Sequence, residues 1–260
     1  MPLSTFDLQN TVRLPSVDQE KNCHWTPKLE HLPIVALCII SVMGGLNMDM
    51  MFKMRRVPGM GESTSCESLE CLPGGKGANT AIAAYRAGHV RARAKVTLRE
   101  ARRERGVAQS VILKARLEEN GVAVSGVSTA KGEKTGTCVV MMGEMTGESR
   151  CLSYQGANRE WKLREQEPVS SLAGGEKPHL VIAHFGIRRE EAEKVLRMAG
   201  EQGIDTLLNP SPAFHMASST FQDLTHLVMN ESEVGELNDS EAWKKAAEHF
   251  LDHGVKNGGC

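Results

Sequence analysis

Two short stretches hold the residues whose types and spacing could do chemistry. Gly44-Gly45-Leu46-Asn47-Met48-Asp49 sets an amide and a carboxylate two residues apart, which on an extended segment places both on one face. Such a pair can donate to and accept from neighbouring hydroxyls of a polyol. In a turn, the same residues could instead satisfy local backbone groups. Pro73-Gly74-Gly75-Lys76-Gly77-Ala78-Asn79 precedes an Ala-rich segment, 80–87, whose composition predicts a helix. Its glycines could bring backbone N–H groups close to a ligand's oxygens at a helix N-terminus. They could equally allow a strand and a helix to pack tightly. A Walker A loop needs a hydroxyl after its lysine, and Gly77 follows Lys76, so magnesium-nucleotide binding at this loop does not follow.

The elements that must position these residues can be read from periodicity. Residues 34–43 run continuously apolar into Gly44-Gly45, as a strand buried on both faces does. Further on, 180–185, 204–208 and 224–230 are short apolar runs separated by helix-length segments. Between the first two, Ala192, Val195, Leu196 and Ala199 fall at helical spacing, with Gly200 and Gly203 as stop signals. These predict consecutive β-α-β units, a parallel sheet with helices on both faces, and ligands at the carboxyl ends of its strands. Two stretches, 137–142 and 149–154, joined by Gly143-Glu144-Met145-Thr146-Gly147-Glu148, predict a hairpin and a small β lid. Residues 1–32 show no periodicity and are expected to form a disordered arm.

The chain has 260 residues, 40% hydrophobic and 24% charged, enough to bury a substantial α/β core. A formal net charge of -1 gives no global reason to expect nucleic-acid or acidic-membrane partners. The seven cysteines are an odd set without C-x-x-C or His/Cys ligand spacing, so no disulfide framework or zinc site is expected. The longest apolar run is too short to span a bilayer. The expectation is a cytoplasmic protein, with the nucleus as a second candidate compartment.

Gly44 to Asp49, then Pro58-Gly59-Met60-Gly61-Glu62, then Pro73 to Asn79, resembles the opening of the ribokinase branch of the PfkB sugar kinases. The resemblance continues through Leu117 to Val122, Thr135-Gly136-Thr137, Gly156-Ala157-Asn158, Asn209 to Ala213 and Asn230 to Glu233, and spans most of 34–257. It implies a three-layer α/β/α sheet with a small β lid, over 33–260, with lid strands around 46–72 and 135–155. It implies transfer of the ATP γ-phosphoryl group to the 5-hydroxyl of D-ribose, and a homodimer formed through the lid. Asn47, Asp49, Gly74, Gly75, Lys76, Gly77 and Asn79 would hold the sugar. Asn230 and Glu233 would serve the nucleotide phosphates and, in the case of Glu233, indirectly the magnesium shell. As residues alone, Asn230 and Glu233 also fit a helix capping box.

Three departures from the family pattern stand out. The Gly-Ala-Gly-Asp loop that would supply the anion hole and the catalytic Asp, and the adenine and potassium sites, would all follow Asn257. The sheet is therefore expected to be incomplete at its C-terminal end, no catalytic residue is assigned, and these 260 residues are expected to show no ATP-dependent ribose phosphorylation. Between Gly88 and Lys114 the family's strand and Gly-Asp-Asp turn are replaced by a basic run with Arg91, Arg93, Lys95, Arg99, Arg102, Arg103 and Arg105. That run reads as a basic helix, a solvated helix face, or the trace of an altered splice or reading-frame boundary. Gly186 occupies the place of a family Glu that helps hold the sugar. The alternative to a sugar kinase is a catalytically inactive sugar-binding or dimerising pseudo-kinase.

Overall fold

The computed structural model describes residues 38–91, 94–103, 107–130, 132–214, 216, 218–238 and 250–259. The arm expected over 1–32, and the first residues of the apolar run at 34, lie outside them. Strand β1 (Cys38–Met43) is paired in parallel on both edges, which takes its backbone out of water and suits an apolar run. The chain then leaves the sheet for β2 (Asn47–Met54) and β3 (Ser68–Gly74). It returns through helix α1 (Lys76–Arg91) to β4 (Ala94–Arg103), then α2 (Val107–Glu119) and β5 (Val127–Ala130). A second excursion forms β6 (Gly136–Gly143) and β7 (Ser149–Tyr154). The remainder is β8 (Leu180–His184), α3 (Arg189–Glu201), β9 (Asp205–Asn209), α4 (Ser218–Gln222), β10 (His226–Val228), α5 (Glu231–Asn238) and β11 (Asn257–Gly259).

Seven of these strands form one parallel sheet in the order β11-β10-β9-β8-β1-β4-β5. From β1 the chain builds outward to β4 and β5, then crosses back and builds the other way from β8. The switch therefore lies between β1 and β8, where diverging connections open a crevice at the strands' carboxyl ends. Alternation along the strands feeds two cores. Val42 and Ile182 pack with Ala78 and Ala81 of α1 and Leu113 and Leu117 of α2. Met43, Val181 and Ala183 pack with Ala192, Val195, Leu196 and Ala199 of α3. This is the three-layer α/β/α arrangement expected from the sequence. No helix among the described residues is long and apolar enough to cross a membrane.

The lid is a four-stranded sheet, β3-β2-β6-β7, with β2 and β6 parallel and the outer pairs antiparallel. The hairpin read from the sequence is β6–β7. The Pro58–Glu62 motif closes a lid turn: Glu62 pairs with both terminal nitrogens of Arg56 and accepts the N–H of Gly59 at 2.8 Å, which pulls its carboxyl down to about 2.

The basic run is where the structure corrects the sequence. Over 94–103 the helix readings fail, because Ala94–Arg103 is strand β4, paired from Cys38↔Ala94 to Met43↔Arg99 with β1 and on to β5; Arg91 is the last residue of α1, and Arg93 and Arg105 lie outside the described residues. In its first half, Ala94, Val96 and Leu98 recur every second position, a strand period that the interspersed charges mask.

Helix α1 meets the end of β1 through glycine. A Cβ on Gly77 would stand 2.5 Å from the carbonyl carbon of Gly44 and 2.8 Å from its Cα. In an open helix, alanine is preferred over glycine by about 1 kcal/mol, whereas forcing atoms into a filled space costs about 1–3 kcal/mol. Here the obstacle is backbone, so the second effect wins. Gly77→Ala is expected to lower the urea midpoint of unfolding with the slope unchanged; an unchanged or higher midpoint would contradict this contact.

Candidate functional site

At the switch point lies a cavity of about 760 Å³, within the size range of small-molecule sites. Gly45, Asn47 and Lys76 form one wall, Ser153 to Gly156 with Asn158 and Arg159 of the lid and the turn after it a second, and Phe185 to Glu190 with Ser211, Pro212 and Phe214 the remainder. Both open ends of the switch, after β1 and after β8, thus contribute.

The Gly-rich segment is seated by one carbonyl. Gly45 O accepts the N–H of Gly77 at 3.1 Å and of Ala78 at 3.4 Å, while the N–H of Asn79 turns into the helix toward Gly75 O. Gly75 has φ +95°, and a Cβ there would lie 2.5 Å from Gly45 O. The glycines thus provide the close backbone packing that is one of the two possibilities open from sequence, and the N–H groups of Gly77 and Ala78 are spent on Gly45. Lys76 is the exception, with its side chain half exposed at the cavity wall.

Asn47 and Asp49 share one face of β2, as their spacing requires. Asn47 lines the cavity and accepts from Asn158 Nδ2 at 2.9 Å. Asp49 Oδ2 accepts a long bond, 3.4 Å, from the N–H of Gly75, and its Oδ1 is buried without a partner. Burial raises the Asp49 carboxyl above its ordinary range, partly offset by the Gly75 bond. Gly74 leaves the room Asp49 occupies, since a Cβ there would strike its carboxylate. Asp49 and Asn79 are not among the residues lining the cavity, and Asn79 is exposed.

Asn230 and Glu233 form the reciprocal capping box: Glu233 Oε2 accepts the Asn230 N–H at 3.0 Å, and Asn230 Oδ1 accepts the Glu233 N–H at 2.8 Å. The other oxygen of Glu233, Oε1, faces Lys76 Nζ at 3.6 Å. The cap of α5 is therefore tied to the start of α1 across the ends of the strands. Both oxygens of Glu233 are thus engaged within the protein, and among the described residues no group of three or more His, Cys, Asp or Glu side chains gathers that could hold a metal ion.

Gly186, where the family resemblance calls for Glu, is fixed by the same crowding. A Cβ there would lie 2.6 Å from Gly45 N and 3.0 Å from its Cα. Carboxylate and guanidinium groups reach this part of the wall instead from Glu190, Arg159 and Arg188, residues that the sequence did not single out.

His184, also unmarked in the sequence, links α1 to β9. Asn209 donates its amide to Val228 O at 2.8 Å, so its Oδ1 faces His184 Nδ1 at 3.1 Å and must accept from it. The lone pair on Nε2 then accepts from the Thr80 hydroxyl at 2.8 Å. The ring is thus held neutral, and burial, with a smaller repulsion from Lys76, lowers its pKa to about 4 against weaker raising effects of Asn209 and Glu233. Its position as last residue of an apolar strand at the carboxyl end was the available signal.

Architecture of this kind is found in solved structures. The ribokinase of Arabidopsis thaliana complexed with ribose and ATP superposes with a TM-score of 0.67 at 22% identity, covering 85% of this chain and 70% of that one. The ribokinase of Cryptococcus neoformans var. grubii serotype A in complex with ADP gives 0.67 at 24% identity, covering 86% and 71%. These likenesses define the fold class, a ribokinase-like α/β sandwich with a lid. In sequence, residues 40–257 match the pattern of the pfkB family carbohydrate kinases. The chain is 30% identical over 207 residues to the ribokinase of Bacillus subtilis (strain 168), covering 78% of this chain and 67% of that one. It is 31% identical over 205 residues to the ribokinase of Schizosaccharomyces pombe, covering 76% of this chain and 61% of that one. The chain belongs to the pfkB carbohydrate kinase family, and spans roughly two thirds of the length of these relatives.

The neutral His184 makes stability depend on pH. In the unfolded chain the imidazole takes up a proton as pH falls below about 6.5, whereas in the folded chain it does so only near 4. Stability from this group is therefore complete above about pH 6.5 and falls as pH drops toward 4, by an amount of order 2–3 kcal/mol. Urea unfolding near pH 7 and near pH 4.5 should show a clearly smaller loss in His184→Gln than in the parent; equal losses would place the proton uptake elsewhere.

Proposed function

We propose that this chain is built as a ribokinase-type kinase for ATP-dependent phosphorylation of D-ribose at its 5-hydroxyl, with residues of β2 and the Gly-rich segment holding the sugar; the absence of turnover expected of these 260 residues is tested below. The observation that carries this reading is the presentation of Asn47 and the unpartnered oxygen of Asp49 from one face of a lid strand beside the switch-point cavity. A polyol supplies hydroxyls that can both accept from an amide and donate to a carboxylate. The ribokinases it resembles in sequence support ribose as the sugar. The relatives solved with ATP and ADP support a nucleotide. Asn230, Glu233 and Lys76 would stand near its phosphates. Magnesium, when bound, would neutralise phosphate charge, with Glu233 reached through water; potassium belongs to the same family expectation.

One observation favours a second reading, a sugar-binding or dimerising protein without catalysis. Phosphoryl transfer needs a base for the acceptor hydroxyl and N–H or cationic groups for the transferring oxygens. Among the described residues, Gly45 O takes the N–H groups of Gly77 and Ala78; cationic groups are at hand in Lys76, Arg159 and Arg188, but the one carboxylate lining the cavity, Glu190, is exposed at its wall, so no shielded base stands in it. In both readings the lid would also pair two copies. Phe52, Leu69, Val139, Leu152 and Tyr154 share the lid face opposite Asp49, with Leu152 71% and Tyr154 52% exposed. A cytoplasmic setting fits a kinase of soluble sugars.

Calorimetric titration with D-ribose, and a coupled assay for ADP release on the same preparation, separate these readings. Saturable ribose binding that weakens at least about tenfold in Asp49→Ala is expected. ADP release abolished by Asp49→Ala would favour the kinase, and binding without ADP release the second reading. Absence of binding at millimolar ribose would overturn both.

A further inference from the structure

We infer that Asn158 is a positioning residue that fixes which end of the Asn47 side-chain amide faces the ligand, an inference that rests on the cavity being a polyol site. Asn158 lies in the short turn Gly156–Glu160 after the lid and is 1% exposed. Its Oδ1 lies 3.3 Å from the backbone nitrogen of Leu46, and its Nδ2 lies 2.9 Å from Asn47 Oδ1. The direction of both amides follows from chemistry alone. A backbone N–H can only donate, so the Asn158 oxygen must face Leu46. Its NH2 group then faces Asn47 and can only donate, so the Asn47 oxygen must turn toward Asn158. What remains for the cavity is the Asn47 NH2 group.

The surroundings hold this chain of bonds in place. A Cβ on Gly136, the lid residue opposite Asn47, would strike both Asn158 Nδ2 and Asn47 Oδ1. A Cβ on Gly45 would stand 3.3 Å from Asn158 Nδ2. The backbone of Asn158 is itself fixed by its N–H to Gln155 O at 3.1 Å. Asn47 is therefore a donor and Asp49, in its ionised form, an acceptor two residues along the same face. The ligand must offer a lone pair at the first position and a hydroxyl hydrogen at the second. A sugar whose hydroxyl at the Asn47 position is missing loses that bond and leaves the NH2 group unpaired.

Asn158→Asp tests this with nearly unchanged shape. One carboxylate oxygen keeps the Leu46 N–H, and the other, now an acceptor, draws in the Asn47 NH2 group and turns the Asn47 oxygen to the cavity. In the ligand-free parent, side-chain amide exchange by NMR should show the Asn47 NH2 protons exchanging faster than those of Asn158. In the variant the Asn47 protons should become protected, and ribose affinity should fall about ten- to hundredfold. Protected Asn47 protons in the parent would overturn the inference whether or not ribose binds. Should Asn158→Asp not fold, the parent's exchange pattern still decides. The expected exchange pattern in a parent that binds no ribose would uphold the amide geometry and overturn the polyol reading instead. Unchanged ribose affinity in a variant whose Asn47 amide has turned would overturn the role assigned to Asn47 in recognition.

Discussion

The site is assembled around the backbone of Gly44 and Gly45. One carbonyl, Gly45 O, accepts the N–H groups of Gly77 and Ala78 in the first turn of helix α1, and side chains at 75, 77 and 186 are all excluded by the two glycines' main-chain atoms. Three segments, the end of β1, the start of α1 and the end of β8, can meet only because none of them carries a Cβ at the contact. That meeting brings β2 away from the sheet at Asn47 and leaves a cavity beside it at the point where the strand order reverses.

Polar bonds then fix what the packing brings close. Lys76 and Glu233 join the starts of α1 and α5, and neutral His184 links Thr80 of α1 to Asn209 of β9. Asn158 ties the turn after the lid to Leu46 and Asn47. Each is a bond between segments far apart in the chain, and together they hold the wall of the cavity with few free rotors. Surface pairs such as Arg56 with Glu62 shape the lid turn but lie in water, where an ion pair adds little.

The periodic elements were legible in the sequence. Strand β1 declared itself by an unbroken apolar run, α3 by Ala192, Val195, Leu196 and Ala199, and the β6–β7 hairpin by two short runs around Gly143 and Gly147. That Asn47 and Asp49 share a face was legible because a two-residue spacing has one meaning on a strand. Strand β4 was missed because its charges hid a two-residue alternation that only pairing with β1 and β5 makes sense of. Asn158 and His184 were missed as working residues for a different reason. Their partners Leu46 and Thr80 are 112 and 104 positions away, a proximity that no local pattern encodes. Gly186 looked like a loss of a carboxylate, and the backbone of Gly45 explains why a glycine stands there.

A crystal structure of the chain soaked with D-ribose tests the central claim most directly. The account predicts the sugar in the switch-point cavity, with one hydroxyl accepting from Asn47 and another donating to Asp49, and with the glycine backbone contacts unchanged. A pentose bound away from these two side chains, or a cavity that stays empty at saturating sugar, would contradict it.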